Sequence, residues 1–89
     1  MSKTLPILNG SFAIIDDDDF ERAIKFRWYL DSKGYAKRNI RRSDGYKTIQ
    51  FLSRFIMDAA VGIQVDHING NKLDNRKSEL RLCTHQQNN

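Results

Sequence analysis

One cysteine, one proline and no long apolar run set the first limits on this chain of 89 residues. Cys83 stands alone, so an internal disulfide is impossible and a cysteine-built zinc site is excluded. A reducing cytoplasm is the simplest setting. No apolar stretch approaches the roughly 20 residues that a membrane-crossing helix needs, so no membrane partner is expected. The apolar start at residues 1–8 is too short for a signal peptide, and the residues after it are too polar. Repeats and low-complexity tracts are also missing.

What remains is a small basic chain. Its length suits one domain, or two very small ones sharing a core. Hydrophobic residues make up 39%, enough for a modest core. Fifteen Lys and Arg against eleven Asp and Glu leave a formal charge of +4. That balance supports a polyanionic partner without proving one, since many basic proteins never touch nucleic acid.

Hydrophobic periodicity and turn residues give a coarse map. Residues 5–8 and 11–15 are short strand candidates around Asn9-Gly10, a pair that favours a tight hairpin turn. Four aspartates come next, Asp16, Asp17, Asp18 and Asp19. Asp18 and Glu21 have capping-box spacing, and acids at a helix start suit the dipole. A calcium loop is the weaker reading, because its spaced ligand pattern is missing. Residues 26–30, 34–42 and 46–52 read as three strands separated by Ser32-Lys33-Gly34 and Ser43-Asp44-Gly45, forming an antiparallel sheet. In the middle strand one face carries Tyr35, Lys37, Asn39 and Arg41, and the other Ala36, Arg38, Ile40 and Arg42. The first face has almost nothing apolar beyond the tyrosine, so it is solvated or laid on a ligand. Ser53 is placed to cap a helix running to about Ala60, with Gly62 ending it. Residues 65–68 read as a strand, Asn69-Gly70 as a turn, and 71–73 as the start of the return. Leu80 and Leu82 anchor the loop after it. Thr84 and Gln87 form a second capping box, so a short helix should open at His85. One turn is hardly stable alone; either the chain is truncated or another chain completes that helix.

Residues 64 to 75 carry the chemistry: Gln-Val-Asp-His-Ile-Asn-Gly-Asn-Lys-Leu-Asp-Asn. Asp66 can hold a hard cation such as Mg²⁺ or Mn²⁺, and His67 beside it supplies an imidazole, the side chain suited to general-base work. Hydrolysis of a phosphodiester needs a basic water, stabilised phosphate charge and in-line geometry. Neighbours on a strand point to opposite faces, so these two side chains take separate roles unless the strand end kinks. Asn88 is a candidate second ligand if the last helix folds back. In isolation, an Asp-His pair is more often an ordinary surface pair, and Asn69, Asn71, Asn75 and Asn88 all suit turns and caps.

The run from Val65 to Arg76, with Leu80-Arg81-Leu82-Cys83-Thr84 and Gln87-Asn88, resembles the ββα-metal core of HNH endonucleases of the phage and intron-encoded homing type. More loosely, Trp28-Tyr29, Gly34-Tyr35-Ala36 and the run from Phe51 to Met57 resemble an AP2-like sheet and helix. The chain has Ser53 where many relatives carry histidine. The resemblance implies an α+β fold: residues 1–62 a hairpin, helix and three-stranded sheet with helix, residues 63–89 the ββα core. It implies Asp66 and Asn88 as ligands to one divalent cation and His67 as general base. It also implies strand scission of double-stranded DNA to a 3′-hydroxyl and a 5′-phosphate. The central Asn of the family pattern falls at Glu79, an acceptor when ionised. Glu79 is therefore expected to pull on His67 or the cation and reduce turnover, and Glu79→Asn to restore it.

Lys33, Lys37, Arg38, Arg41, Arg42 and Lys47 cluster on the middle hairpin and are the expected DNA contacts. Arg76 and Arg81 lie in the catalytic loop and are expected at the scissile phosphate. The competing readings are a DNA-binding module without turnover and an interaction protein. Homodimerisation or exchange of the last helix would complete the C-terminus.

Overall fold

Alternation of apolar and polar residues drives the first pairing in the computed structural model, which describes residues 1–8 and 10–83. Strand β1 (Ser2–Ile7) runs antiparallel to β2 (Ser11–Asp16), with Leu5 opposite Ala13. Leu5, Ile7, Ala13 and Ile15 all face the core, as a period of two requires. Of the expected hairpin turn, Asn9 lies outside the described residues, and Gly10 takes the positive φ of 88° that glycine tolerates.

Helix α1 (Asp17–Ala23) begins on the aspartates, earlier than a cap at Asp18 requires. The expected capping box is absent: the N-cap is Asp16, whose carboxylate accepts from the Lys77 backbone amide at 2.9 Å instead. The acids do occupy the first turn, where the helix dipole stabilises them.

Strands β3 (Tyr29–Leu30), β4 (Ala36–Arg41) and β5 (Lys47–Phe51) form the antiparallel three-stranded sheet in that order. The first strand is shorter than its aromatic run suggests. Trp28 is buried, and its indole donates to the Ala23 carbonyl at 2.8 Å, which draws the chain away from the sheet. Helix α2 (Leu52–Met57) starts before Ser53 and stops at Asp58, in the left-handed region at φ 50°. The expected extension to Ala60 fails because the Arg54 guanidinium gathers the carbonyls of Ala59, Ala60 and Ile63, folding that segment back.

Strand β6 (Gln64–His67) pairs antiparallel with β7 (Leu80–Cys83). The return strand is therefore Leu80–Cys83, rather than a segment beginning at 71–73. Residues 68–79 form the connection, ending in a 3₁₀ turn at Lys77–Glu79. This gives the two strands of a ββα unit; the helix expected from His85 lies outside the described residues, as does its Thr84–Gln87 box. The whole is a small α+β arrangement of antiparallel sheets and short helices. A single apolar cluster includes Leu5, Ile15, Trp28, Leu52, Ile56 and Leu80, so the segments on both sides of residue 62 share one core.

Arg38 belongs to that packing. Its guanidinium lies 3.9 Å from the Phe26 ring centre and 5.5 Å from that of Phe55, and it donates to Gln50 at 3.0 Å. Burial lowers its pKa from the ordinary arginine value. Arg38→Ala is expected to reduce the unfolding free energy by about 1–2 kcal/mol, through lost cation–π and stem contacts. Arg41→Ala should change it by less than about 0.5 kcal/mol. Urea denaturation of the two variants measures the difference.

Candidate functional site

The site begins where β6 ends. Asp66 stands opposite Arg81 and His67 opposite Leu80. Ile68 donates its amide to the Glu79 carbonyl at 2.9 Å, and Gly70 to that of His67 at 3.0 Å, so the ladder passes directly into the Asn-Gly turn.

The imidazole of His67 meets a residue that the sequence marks only as a turn or cap candidate. Its Nε2 lies 3.1 Å from Oδ1 of Asn75, which is 1% exposed. The Asn75 amide group donates to the Lys72 carbonyl at 3.4 Å, which turns the Asn75 oxygen toward the ring. An oxygen acceptor at Nε2 assigns the ring proton to that nitrogen and leaves the Nδ1 lone pair available as a base. Asn75 is held in place by the first hairpin: its backbone amide donates to the Ile14 carbonyl at 2.7 Å, and Ile14 donates to Leu73 at 2.8 Å.

Asp74, 3% exposed, ties the same loop. It accepts from Arg76 Nε at 2.8 Å, from a second Arg76 nitrogen at 2.6 Å, and from Asn69 at 2.9 Å. The Arg76 hydrogen bond, outweighing burial and helped by Asn69, holds the Asp74 carboxyl below the usual carboxylate range. Asn69 and Asn71 bond to the amides two residues ahead of them, as turn residues do.

Asp66 is partly exposed and its Oδ2 accepts from Arg81 at 2.7 Å. Asp66 and His67 both line an open cleft of about 400 Å³, together with Tyr35, Phe51, Ser53 and Arg54. Mg²⁺ keeps several of its waters and takes one or two protein carboxylates plus substrate oxygens. Asp66 fits that demand as a single anchoring ligand. Among the described residues no group of three or more His, Cys, Asp and Glu side chains could hold a metal ion. Asn88, the expected second ligand, lies outside the described residues. Glu79 contributes backbone bonds to the loop, while the histidine contact expected of it is made by Asn75.

The basic residues divide by sheet face. Lys37, Arg41 and Lys47 share the open face with Tyr29, Asn39 and Phe51, and Arg41 stands directly opposite Lys47. Like charges opposite each other destabilise a sheet. Among the described residues none of these three has an ion-pair partner. Arg38 belongs to the packed face, Arg42 pairs with Asp44 at 3.0 Å, and Lys33 sits exposed in the turn before β4. Arg76 and Arg81 are engaged by Asp74 and Asp66 rather than standing free.

Residues 60–89 match the HNH endonuclease family. The chain is 36% identical over 87 residues to an uncharacterized HNH endonuclease of Acanthamoeba polyphaga mimivirus, a match covering 89% of this chain and 42% of that protein. The chain thus spans less than half the length of this relative. No solved structure matches the chain. Residues 60–89 are thus similar to HNH endonucleases, and most of the chain is similar to part of the viral protein.

Because the folded Asp74 carboxyl is depressed, its contribution is complete above the unfolded pKa of about 3.9 and is lost as pH falls through the lower folded value. Asp74→Asn should cost about 1–3 kcal/mol at pH 7. The gap from the parent protein should narrow below about pH 4. Thermal unfolding followed across this pH range tests both statements.

Proposed function

We propose that this chain carries a divalent-metal-dependent DNA endonuclease site of HNH type. The observation that carries the reading is His67, within the matching segment, held through Nε2 by Asn75 while lining one cleft with Asp66. In this reading Nδ1 of His67 takes a proton from water as that water attacks the phosphorus. The bond from phosphorus to the 3′ oxygen breaks, solvent protonates the leaving oxygen, and the products are a 3′-hydroxyl and a 5′-phosphate. Asp66 would hold one Mg²⁺ or Mn²⁺; Asn88, the second ligand that the resemblance implies, lies outside the described residues. When bound, the cation supplies Lewis-acid stabilisation of charge on the phosphate. Asn75 keeps the ring in the tautomer the step requires.

The open face of β3–β5 receives double-stranded DNA, in the manner of an AP2-like sheet. Lys37, Arg41 and Lys47 make the phosphate contacts, and the repulsion between Arg41 and Lys47 is relieved by an intervening anion. A second reading, DNA binding without turnover, is favoured by one observation: Arg81 occupies Asp66 at 2.7 Å, where the cation would compete for the carboxylate.

Nicking of supercoiled plasmid with Mg²⁺ or Mn²⁺ separates the two. His67→Ala should lower the rate at least about 100-fold with DNA affinity retained; undiminished nicking overturns the first reading, and tight binding without any nicking selects the second. Each of Lys37→Ala, Arg41→Ala and Lys47→Ala should reduce the salt dependence of binding by a slope of about 0.9. With Asn75 on the ring, Glu79→Asn should change the rate by less than about twofold, under roughly 0.4 kcal/mol of barrier; a large rise would return the impairment to Glu79.

A further inference from the structure

We infer that Tyr35 is a positioning residue for His67, clamped in that role by Lys72. The inference rests on His67 being the base proposed above.

The contacts close on themselves. Tyr35 packs on His67 with ring centres 5.8 Å apart and planes tilted by 42°. Lys72 Nζ lies 4.8 Å from the centre of the Tyr35 ring and donates to the Lys33 carbonyl at 2.7 Å. The carbonyl of the same Lys72 receives the Asn75 amide, and the Asn75 oxygen meets His67. A single hydrogen bond at Nε2 leaves the imidazole free to tilt about it, and Tyr35 limits that tilt from another side.

Tyr35 is itself braced by Phe51, edge-on at 5.8 Å. It reaches the site because Gly34 turns the chain at φ 90°, where a side chain would be strained. Lys72, Phe51 and His67 surround the ring, so it serves poorly as a stacking platform for a nucleobase. Among the described residues the Tyr35 hydroxyl has no hydrogen-bond partner. The ring, rather than the phenol, performs the task. This couples the base to the sheet face through one side chain.

The test uses the 89-residue chain and three variants beside His67→Ala. Tyr35→Leu should lower kcat about 100-fold, the scale of a small misplacement of a catalytic group, with KM within about twofold of the parent value. Tyr35→Phe should restore kcat. Lys72→Met, remote from the core, should lower kcat about two- to fivefold, the worth of an exposed cation–π contact. NMR of the His67 ring nitrogens reads the same contact without turnover: their signals should shift or broaden in Tyr35→Leu and stay in place in Tyr35→Phe. Unchanged ring signals in a folded Tyr35→Leu protein overturn this inference while leaving the base assignment intact. Equal kcat losses in Tyr35→Leu and Tyr35→Phe also overturn it, by assigning the role to the hydroxyl. Full activity of His67→Ala overturns the base assignment, and the inference falls with it.

Discussion

Two backbone hydrogen bonds at Ile14 organise the site. By donating to Leu73 and accepting from Asn75, Ile14 lays the middle of the 68–79 connection beside β2 in a parallel bridge. That seat, through its bonds, offsets part of the conformational entropy lost when the segment is ordered. It also explains how two polar residues, Asp74 and Asn75, tolerate near-complete burial. Asp74 receives Arg76 and Asn69, and Asn75 bonds to His67, Lys72 and the strand. The first hairpin is thus a buttress for the loop behind His67, although none of its described residues lines the cleft.

The distribution of positive charge obeys the same logic. Arg38, Arg54, Arg76 and Arg81 each have a partner that consumes their hydrogen-bonding geometry: an aromatic nest and Gln50, three carbonyls, Asp74, and Asp66. Lys37, Arg41 and Lys47 lack ion pairs among the described residues and share one open face. The like charges of Arg41 and Lys47 in register across the sheet are the feature on which the proposed polyanion contact rests. That face adjoins the cleft through Tyr35 and Phe51, so a polyanion seated on the sheet as proposed would lie next to Asp66 and His67.

Much of this architecture is legible in residue patterns. The hairpin at the N-terminus, the three-stranded sheet and the helix after Phe51 come from alternation and from Gly-containing turns. Asp66 and His67 stand out as a dipeptide, and the run around them carries the chain's similarity to HNH endonucleases. Boundaries are less legible wherever a distant partner intervenes. Asp16 gives its carboxylate to Lys77, Arg54 pulls the end of α2 back, and Trp28 leaves the sheet for the core. The position of the return strand is hidden because the polar run 68–79 looks like a plain turn until Ile14 is brought beside it.

Sequence by itself determined the chemical inventory: one acid and one imidazole adjacent, a basic hairpin, and a matching C-terminal segment. It also determined the periodicities that set strands and helices, because those depend on neighbours only a few residues apart. The tertiary structure decided which nitrogen of His67 is held, which arginines are structural, and which face of the sheet is open. Those outcomes rest on contacts between segments well separated along the chain — Ile14 with Asn75, Tyr35 with His67, Arg38 with Phe55 — whose geometry exists only after the common core has closed.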